Sequence, residues 1–209
     1  MTNNTNLFIP ITAYIEGLDI STVSEARKEA MQPLVEFIKQ KAANNQPILL
    51  NFICTHNSRR SHLTQVWAQT MAAYYNISQV VCYSGGNEVT ALFPMAAQVL
   101  EKTGFEIAKL SETDNPVYSI KFAGNIHPII AFSKTYNDAF NPKSGFAAVL
   151  TCSDADGACP FVGEAEIRVP VTYDDPKLSD GTPQQEKTYL ERSRQIATEM
   201  KYLFSAINS

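Results

Sequence analysis

The sequence predicts an α/β fold, a three-layer sandwich with a central parallel sheet, preceded by an N-terminal helical extension. Three observations carry that expectation. Short apolar runs at 48–53, 79–84, 146–151 and 167–171 alternate with stretches whose apolar residues recur at helical spacing, the pattern of parallel strands joined by crossover helices. Two of those runs lead directly into chemistry-bearing residues, Cys54 and Cys152, at the strand ends where ligands of such sheets gather. The 209 residues, 44% hydrophobic and 18% charged, suffice for one domain with a sizeable core.

Taken in order, residues 1–45 read as an extension packed on the core. Thr22 and Glu25 have the spacing of a capping box. Pro33 is expected to break or kink the helix that follows, with Leu34, Val35, Ile38 and Ala42 on one face beyond it. Residues 46–209 read as a single domain. Leu63, Val66, Trp67, Thr70, Met71 and Tyr74 mark the buried face of a helix after the first strand. Cys82 lies inside the second apolar run as a core residue, and the Gly85-Gly86 pair ends that run, where backbone must approach closely. A helix over 94–102 stops at Gly104. Short strands are predicted over 117–122 and 128–132, and 112–145 reads as an insertion, either a lid or a packed surface loop. Thr182-Pro183-Gln184-Gln185 starts the closing helix.

The formal net charge of −4 gives no reason to expect nucleic-acid or membrane partners. No apolar stretch approaches the roughly 18 residues of a membrane span, and Met1-Thr2-Asn3-Asn4 is not a basic leader, so a cytoplasmic protein is expected. Four cysteines in such a chain are not a disulfide scaffold and are more often catalytic, redox-active or buried.

The first constellation is Cys54-Thr55-His56-Asn57-Ser58-Arg59-Arg60-Ser61. A thiol at a strand end, followed by a loop that opens into a helix, suits attack on a tetrahedral oxyanion such as phosphate or a sulfate-like ion. The loop amides of residues 55–60 and the positive end of the helix dipole favour a bound anion and a thiolate at Cys54 alike. Arg60 adds a planar fork for two of the anion's oxygens. Ser61 is expected to cap the helix and to donate to the departing thiolate. Arg59 is expected to add positive charge at the mouth. No metal is required, and His62 lacks companions at ligand spacing.

The second constellation is Cys152-Ser153-Asp154-Ala155-Asp156-Gly157-Ala158-Cys159. A strand-end cysteine followed seven positions on by another suits a relay in which Cys152 attacks Cys54 and Cys159 then attacks Cys152. The third is Asp174-Asp175-Pro176, a carboxylate pair in extended backbone after a strand that points to the same rim.

Cys54–Ser61, with its Cys, five residues, Arg and Ser, resembles the loop of the low-molecular-weight protein tyrosine phosphatase superfamily. His56, where a glycine is usual, and Arg59, often a cysteine, depart from the pattern. The non-glycine at His56 calls for a tolerated backbone angle there. The cysteine pair and the Asp-Asp-Pro stretch resemble the thioredoxin-coupled arsenate reductases of that superfamily. The resemblance covers residues 47–207 with 112–145 set aside, and it implies that Asp175, rather than Asp174, is the general acid. It further implies arsenate reduction through Cys54, Cys152 and Cys159, with thioredoxin or another thiol as electron donor and no bound cofactor. The alternative is hydrolysis of phosphotyrosine or another phosphomonoester through a phosphocysteine. A non-enzymatic anion-binding module is the third reading, and an intact Cys54, Arg60 and Asp175 argue against it.

Overall fold

The computed structural model describes residues 6–152 and 162–207. Four parallel strands, β1 (Ile48–Cys54), β2 (Val80–Gly86), β6 (Phe146–Leu150) and β7 (Ala165–Pro170), form one sheet in the order β2-β1-β6-β7. The chain leaves β1 to one side for β2 and later returns to its other side for β6. The C-terminal end of β1 is therefore the switch point of the sheet, and Cys54 is its last residue.

Helices α1 (Ile9–Glu16), α2 (Glu25–Ala43), α3 (Arg60–Tyr74), α4 (Pro94–Lys102) and α5 (Gln185–Ser205) complete the α/β architecture. They pack over the sheet face carrying Leu50, Phe52, Ala147, Val149 and Val169. Alternation along each strand sends Ile53, Ala148 and Leu150 to the opposite face, where Tyr136, Cys152 and Val162 join them. α3 is buried on nearly every side, because β1, β2 and α5 enclose it. Its Trp67 donates to Ser193 Oγ at 2.9 Å and stacks on Tyr14, which ties α1 to the core. Among the described residues no helix is long and apolar enough to cross a membrane.

Several local expectations are corrected. Pro33 neither breaks nor divides its helix, and α2 runs unbroken from Glu25 to Ala43. Both Pro33 and Glu29, whose carbonyl loses its partner, lie on the exposed face, where water can hydrate that carbonyl. The helix follows Ser24, while Asp19 accepts from Ser21 N and caps a separate short 3-10 turn over Ile20–Thr22. The closing helix starts at Gln185, later than the Thr182-Pro183 signal. α4 ends as expected, with Gly104 at φ +106° and the paired bonds Phe105 N to Leu100 O and Gly104 N to Glu101 O.

Residues 112–145 are more structured than a surface loop. β3 (Glu106–Lys109), β4 (Tyr118–Lys121) and β5 (Ile129–Ala131) make a second, antiparallel sheet. The stretch after β5 then runs beneath the end of β2, with Gly86 N donating to Lys134 O and Tyr136 N to Gly86 O, both at 2.9 Å. Residues 134–136 thus brace the end of β2.

Candidate active site

The loop after β1 is held from outside by its carbonyls. Thr55 O accepts from Asn87 N and Glu88 N at 2.8 and 2.9 Å, and Ser58 O from Phe93 N at 2.9 Å. His56 O accepts from Thr90 Oγ1 and Ser133 Oγ at 2.9 and 3.0 Å. Among the described residues, none of the N–H groups of 55–60 has a protein acceptor. Carbonyls anchored outward and amides left free are what an anion-binding loop requires.

Asn57 is the keystone of this loop. It takes the left-handed conformation, φ +44°, a region that asparagine tolerates better than most side chains. The expectation of a special angle at His56 is thus displaced by one residue. His56 keeps an ordinary φ, and its half-exposed ring faces Glu88 at 3.5 Å. The Asn57 amide nitrogen donates to Ser61 Oγ at 2.9 Å, and its carbonyl oxygen accepts from Lys134 N at 2.9 Å. Ser61 Oγ lies 3.1 Å from Cys54 Sγ. Because Asn57 already donates to it, the Ser61 hydroxyl can direct its own proton at the sulfur. Ser61 does not cap the helix, since α3 begins at Arg60 with no side-chain cap.

Arg60 and Asp175 come together. Arg60 Nη2 donates to Asp175 Oδ2 at 2.6 Å and Arg60 Nη1 to Tyr173 O at 3.0 Å. Asp175 Oδ1 accepts from Lys177 N at 3.0 Å, capping the turn Pro176–Ser179. Asp174 turns away, 92% exposed and paired with Arg192. Of the two carboxylates, only Asp175 faces the loop.

Arg59 does not present a free charge at the mouth. Its Nη2 donates to Asp180 Oδ2 and its Nε to Tyr189 Oη, both at 2.5 Å, and its guanidinium lies 4.1 Å from the centre of the Phe93 ring. Asp180 also accepts from Tyr189 Oη at 2.7 Å. Arg59 therefore works as a clamp between α3 and the segment before α5, with its charge balanced. A cleft of about 270 Å³ opens beside it, lined by His56, Ser58, Phe93 and Lys177 among others.

Cys152 is fully buried in the same apolar cluster as Cys54. Thr151, just before it, binds Ile53 O through both its N–H and its hydroxyl at 2.7 and 2.9 Å. Thr55 Oγ1 lies 3.5 Å from Cys152 Sγ, so the second thiol stands against the anion loop. Cys159 lies outside the described residues. Cys82 sits in the core, where burial pushes its thiol pKa far up and keeps it inert. No cluster of potential metal ligands occurs among the described residues.

Behind the loop, His62 is fully buried, with Nδ1 3.2 Å from Ser84 Oγ. Burial, helped by the charge of Lys134 and opposed by a bond to the Asn57 backbone, lowers its pKa from 6.5 to about 3. The unfolded chain therefore takes up a proton near pH 6.5 that the folded chain refuses until about pH 3. Stability from this residue is full above that window and falls as pH drops through it, by up to about 1.4 kcal/mol per pH unit. Denaturant midpoints measured from pH 7 to pH 4 should fall more steeply for the wild type than for His62→Gln, and equal slopes would refute the assignment.

Two pairs of contributors escape a reading of the sequence. Ser133 and Lys134 support the loop from 77 residues away. Lys134 itself is buried, its amine 4.5 and 5.3 Å from the Phe132 and Phe140 ring centres, and burial lowers its pKa to about 8. Asp180 and Tyr189, the partners of Arg59, are the other contributors. The only local signal was the Asn/Asp/Pro/Lys-rich stretch 135–145, which points to a loop but to no partner.

No family model matches the chain. Among curated proteins it is similar to the arsenate reductase of Bacillus subtilis strain 168, 25% identical over 146 residues, spanning 70% of this chain and 86% of that protein. The arsenate reductase of Staphylococcus aureus strain Newman is 27% identical over 128 residues, spanning 60% and 76%. Of solved structures, a mutant of YwlE from Bacillus subtilis aligns over 78% of this chain and 99% of its own, at 12% identity and a TM-score of 0.49. The relatives are named as arsenate reductases, the branch that the sequence resembles.

Proposed function

We propose that this chain belongs to the low-molecular-weight phosphatase superfamily, on its arsenate-reductase side, and reduces arsenate to arsenite; its similarity to relatives named arsenate reductases supports the reading. The oxyanion takes Arg60 over from Asp175, and the Cys54 thiolate attacks arsenic held by the amides of 55–60 and Arg60. A hydroxyl departs as water with a proton that Asp175, released from Arg60, has received from the bound arsenate. The Cys152 thiolate then attacks the Cys54 sulfur. The S–As bond breaks, its electron pair stays on arsenic, and arsenite leaves a Cys54–Cys152 disulfide. Cys159 attacks Cys152, freeing Cys54 as a thiolate and leaving Cys152–Cys159 for reduction by thioredoxin or another dithiol.

The observation that carries this reading is Cys152 Sγ against the anion loop, 3.5 Å from Thr55 Oγ1 and in one cluster with Cys54. Hydrolysis of a phosphomonoester needs no thiol at that place. The pairing of Arg60 with Asp175 at 2.6 Å supports that second reading equally, with Cys54 forming a phosphocysteine and Asp175 activating water.

The deciding experiment is arsenate-dependent NADPH oxidation with thioredoxin and its reductase, beside aryl-phosphate hydrolysis. In Cys152→Ser, arsenate turnover is expected to be lost, since no thiol remains there to expel arsenite, while any aryl-phosphate hydrolysis persists. A wild type that ignores arsenate and hydrolyses aryl phosphate, unaffected by Cys152→Ser, would make the protein a phosphatase.

A further inference from the structure

The segment carrying Asp175 is held from behind by a residue of the N-terminal extension. Arg27, on α2, donates through Nη1 to Thr172 O at 3.0 Å, across 145 positions of sequence. Its remaining donors grip Glu199 of α5, Nε to Oε1 at 3.1 Å and Nη2 to Oε2 at 2.6 Å. Its guanidinium lies 5.0 Å from the centre of the buried Tyr173 ring. We propose that Arg27 is a positioning residue that aims Asp175 at the anion loop, which makes the N-terminal extension part of the catalytic apparatus. The inference rests on the reading of Asp175 as the acid.

The geometry explains why one arginine suffices. Tyr173 is fixed at its N–H, which donates to Thr151 O at 3.1 Å, and at its carbonyl, which accepts from Arg60 Nη1 at 3.0 Å. Those bonds tie the segment to the sheet and to the loop. Arg27 supplies the third support, from the far side, by holding the carbonyl just before Tyr173 and covering its ring. Burial works against the charge of Arg27, but the bonded Glu199 carboxylate outweighs it and holds the pKa above its ordinary value. The clamp is therefore a permanent cation. Glu199 is itself buried and accepts from Gln195 Nε2 at 3.1 Å as well, so the anchor on α5 is rigid. A lysine could keep a charge here but could not bind Glu199 and Thr172 with three fixed donors.

The test compares the full-length wild type with Arg27→Met, Arg27→Lys and Asp175→Asn, by amide hydrogen exchange and by turnover of arsenate and para-nitrophenyl phosphate. Arg27→Met is expected to speed exchange over 172–178 while β1 and α3 stay protected. Its kcat should fall about tenfold with KM nearly unchanged, as misplacing an acid does, and Arg27→Lys should recover part of both. Unchanged exchange or unchanged kcat in Arg27→Met would overturn the proposal. So would exchange rising equally in β1 and α3, since that is general loosening. A failure of the acid reading appears elsewhere, as unchanged turnover in Asp175→Asn, and it removes the positioning role with it. If the wild type turns over neither substrate, the reaction reading fails, and exchange over 172–178 alone decides whether the clamp exists.

Discussion

Asp175→Asn is expected to slow turnover by about two to three orders of magnitude, the usual contribution of a general acid, and yet to bind oxyanions more tightly. The two effects have separate causes. Slower turnover follows from losing the proposed proton donor. Tighter binding follows from the ion pair, because Asp175 Oδ2 occupies Arg60 Nη2 at 2.6 Å and an arriving anion must displace it. The neutral amide that replaces the carboxylate can hold Arg60 only by a weaker, uncharged bond, which the anion displaces more easily, and the loop no longer has a fixed negative charge beside it. Phosphate affinity measured by calorimetry, together with kcat for arsenate, checks both halves. Weaker phosphate binding in Asp175→Asn would mean that the carboxylate orients Arg60 for the anion instead of competing with it.

Gly86→Ala is the second large effect, acting on shape alone. A Cβ built at Gly86 would lie 2.7 Å from Asn57 N, 2.8 Å from Thr55 O and 2.9 Å from Glu88 O. All three neighbours are backbone, so none can swing aside as a side chain would. Relief requires the end of β2 to separate from the anion loop, which breaks the bonds of Thr55 O to Asn87 N and Glu88 N. A loss of about 2–3 kcal/mol is expected for such overpacking, and the loop amides would no longer converge, so phosphate binding should become undetectable. Gly124→Ala is the matched control. Nothing lies within 4 Å of its Cβ position, and a surface change of that kind costs about 0.5 kcal/mol or less. Chemical denaturation of both variants, with phosphate titration, decides the matter. A Gly86→Ala protein that binds phosphate normally would show the packing to be looser than these distances require.

The sequence by itself determined what depends on contiguous residues. An apolar run, a polar loop from Cys54 to Arg59 and helical apolar spacing after it occupy one stretch of chain, so the strand, the anion loop and the loop helix could be read together. The alternation of runs and helical stretches likewise made a parallel sheet legible, and Gly85-Gly86 stood out because closeness of backbone is a property glycine carries wherever it sits. Only the tertiary structure decided which groups face one another across distant segments. Arg59 looked like a free charge because Asp180, which balances it, is 121 positions away. The special backbone angle fell on Asn57 rather than His56 because Asn57 must turn its amide inward to reach both Ser61 Oγ and Lys134 N. The brace over 133–136 and the Arg27 clamp were equally hidden, since each joins segments whose meeting is set by how sheets and helices pack. Spacing along a chain reports local backbone geometry, and the balance of a charge or the support of a loop depends on neighbours that folding alone assembles.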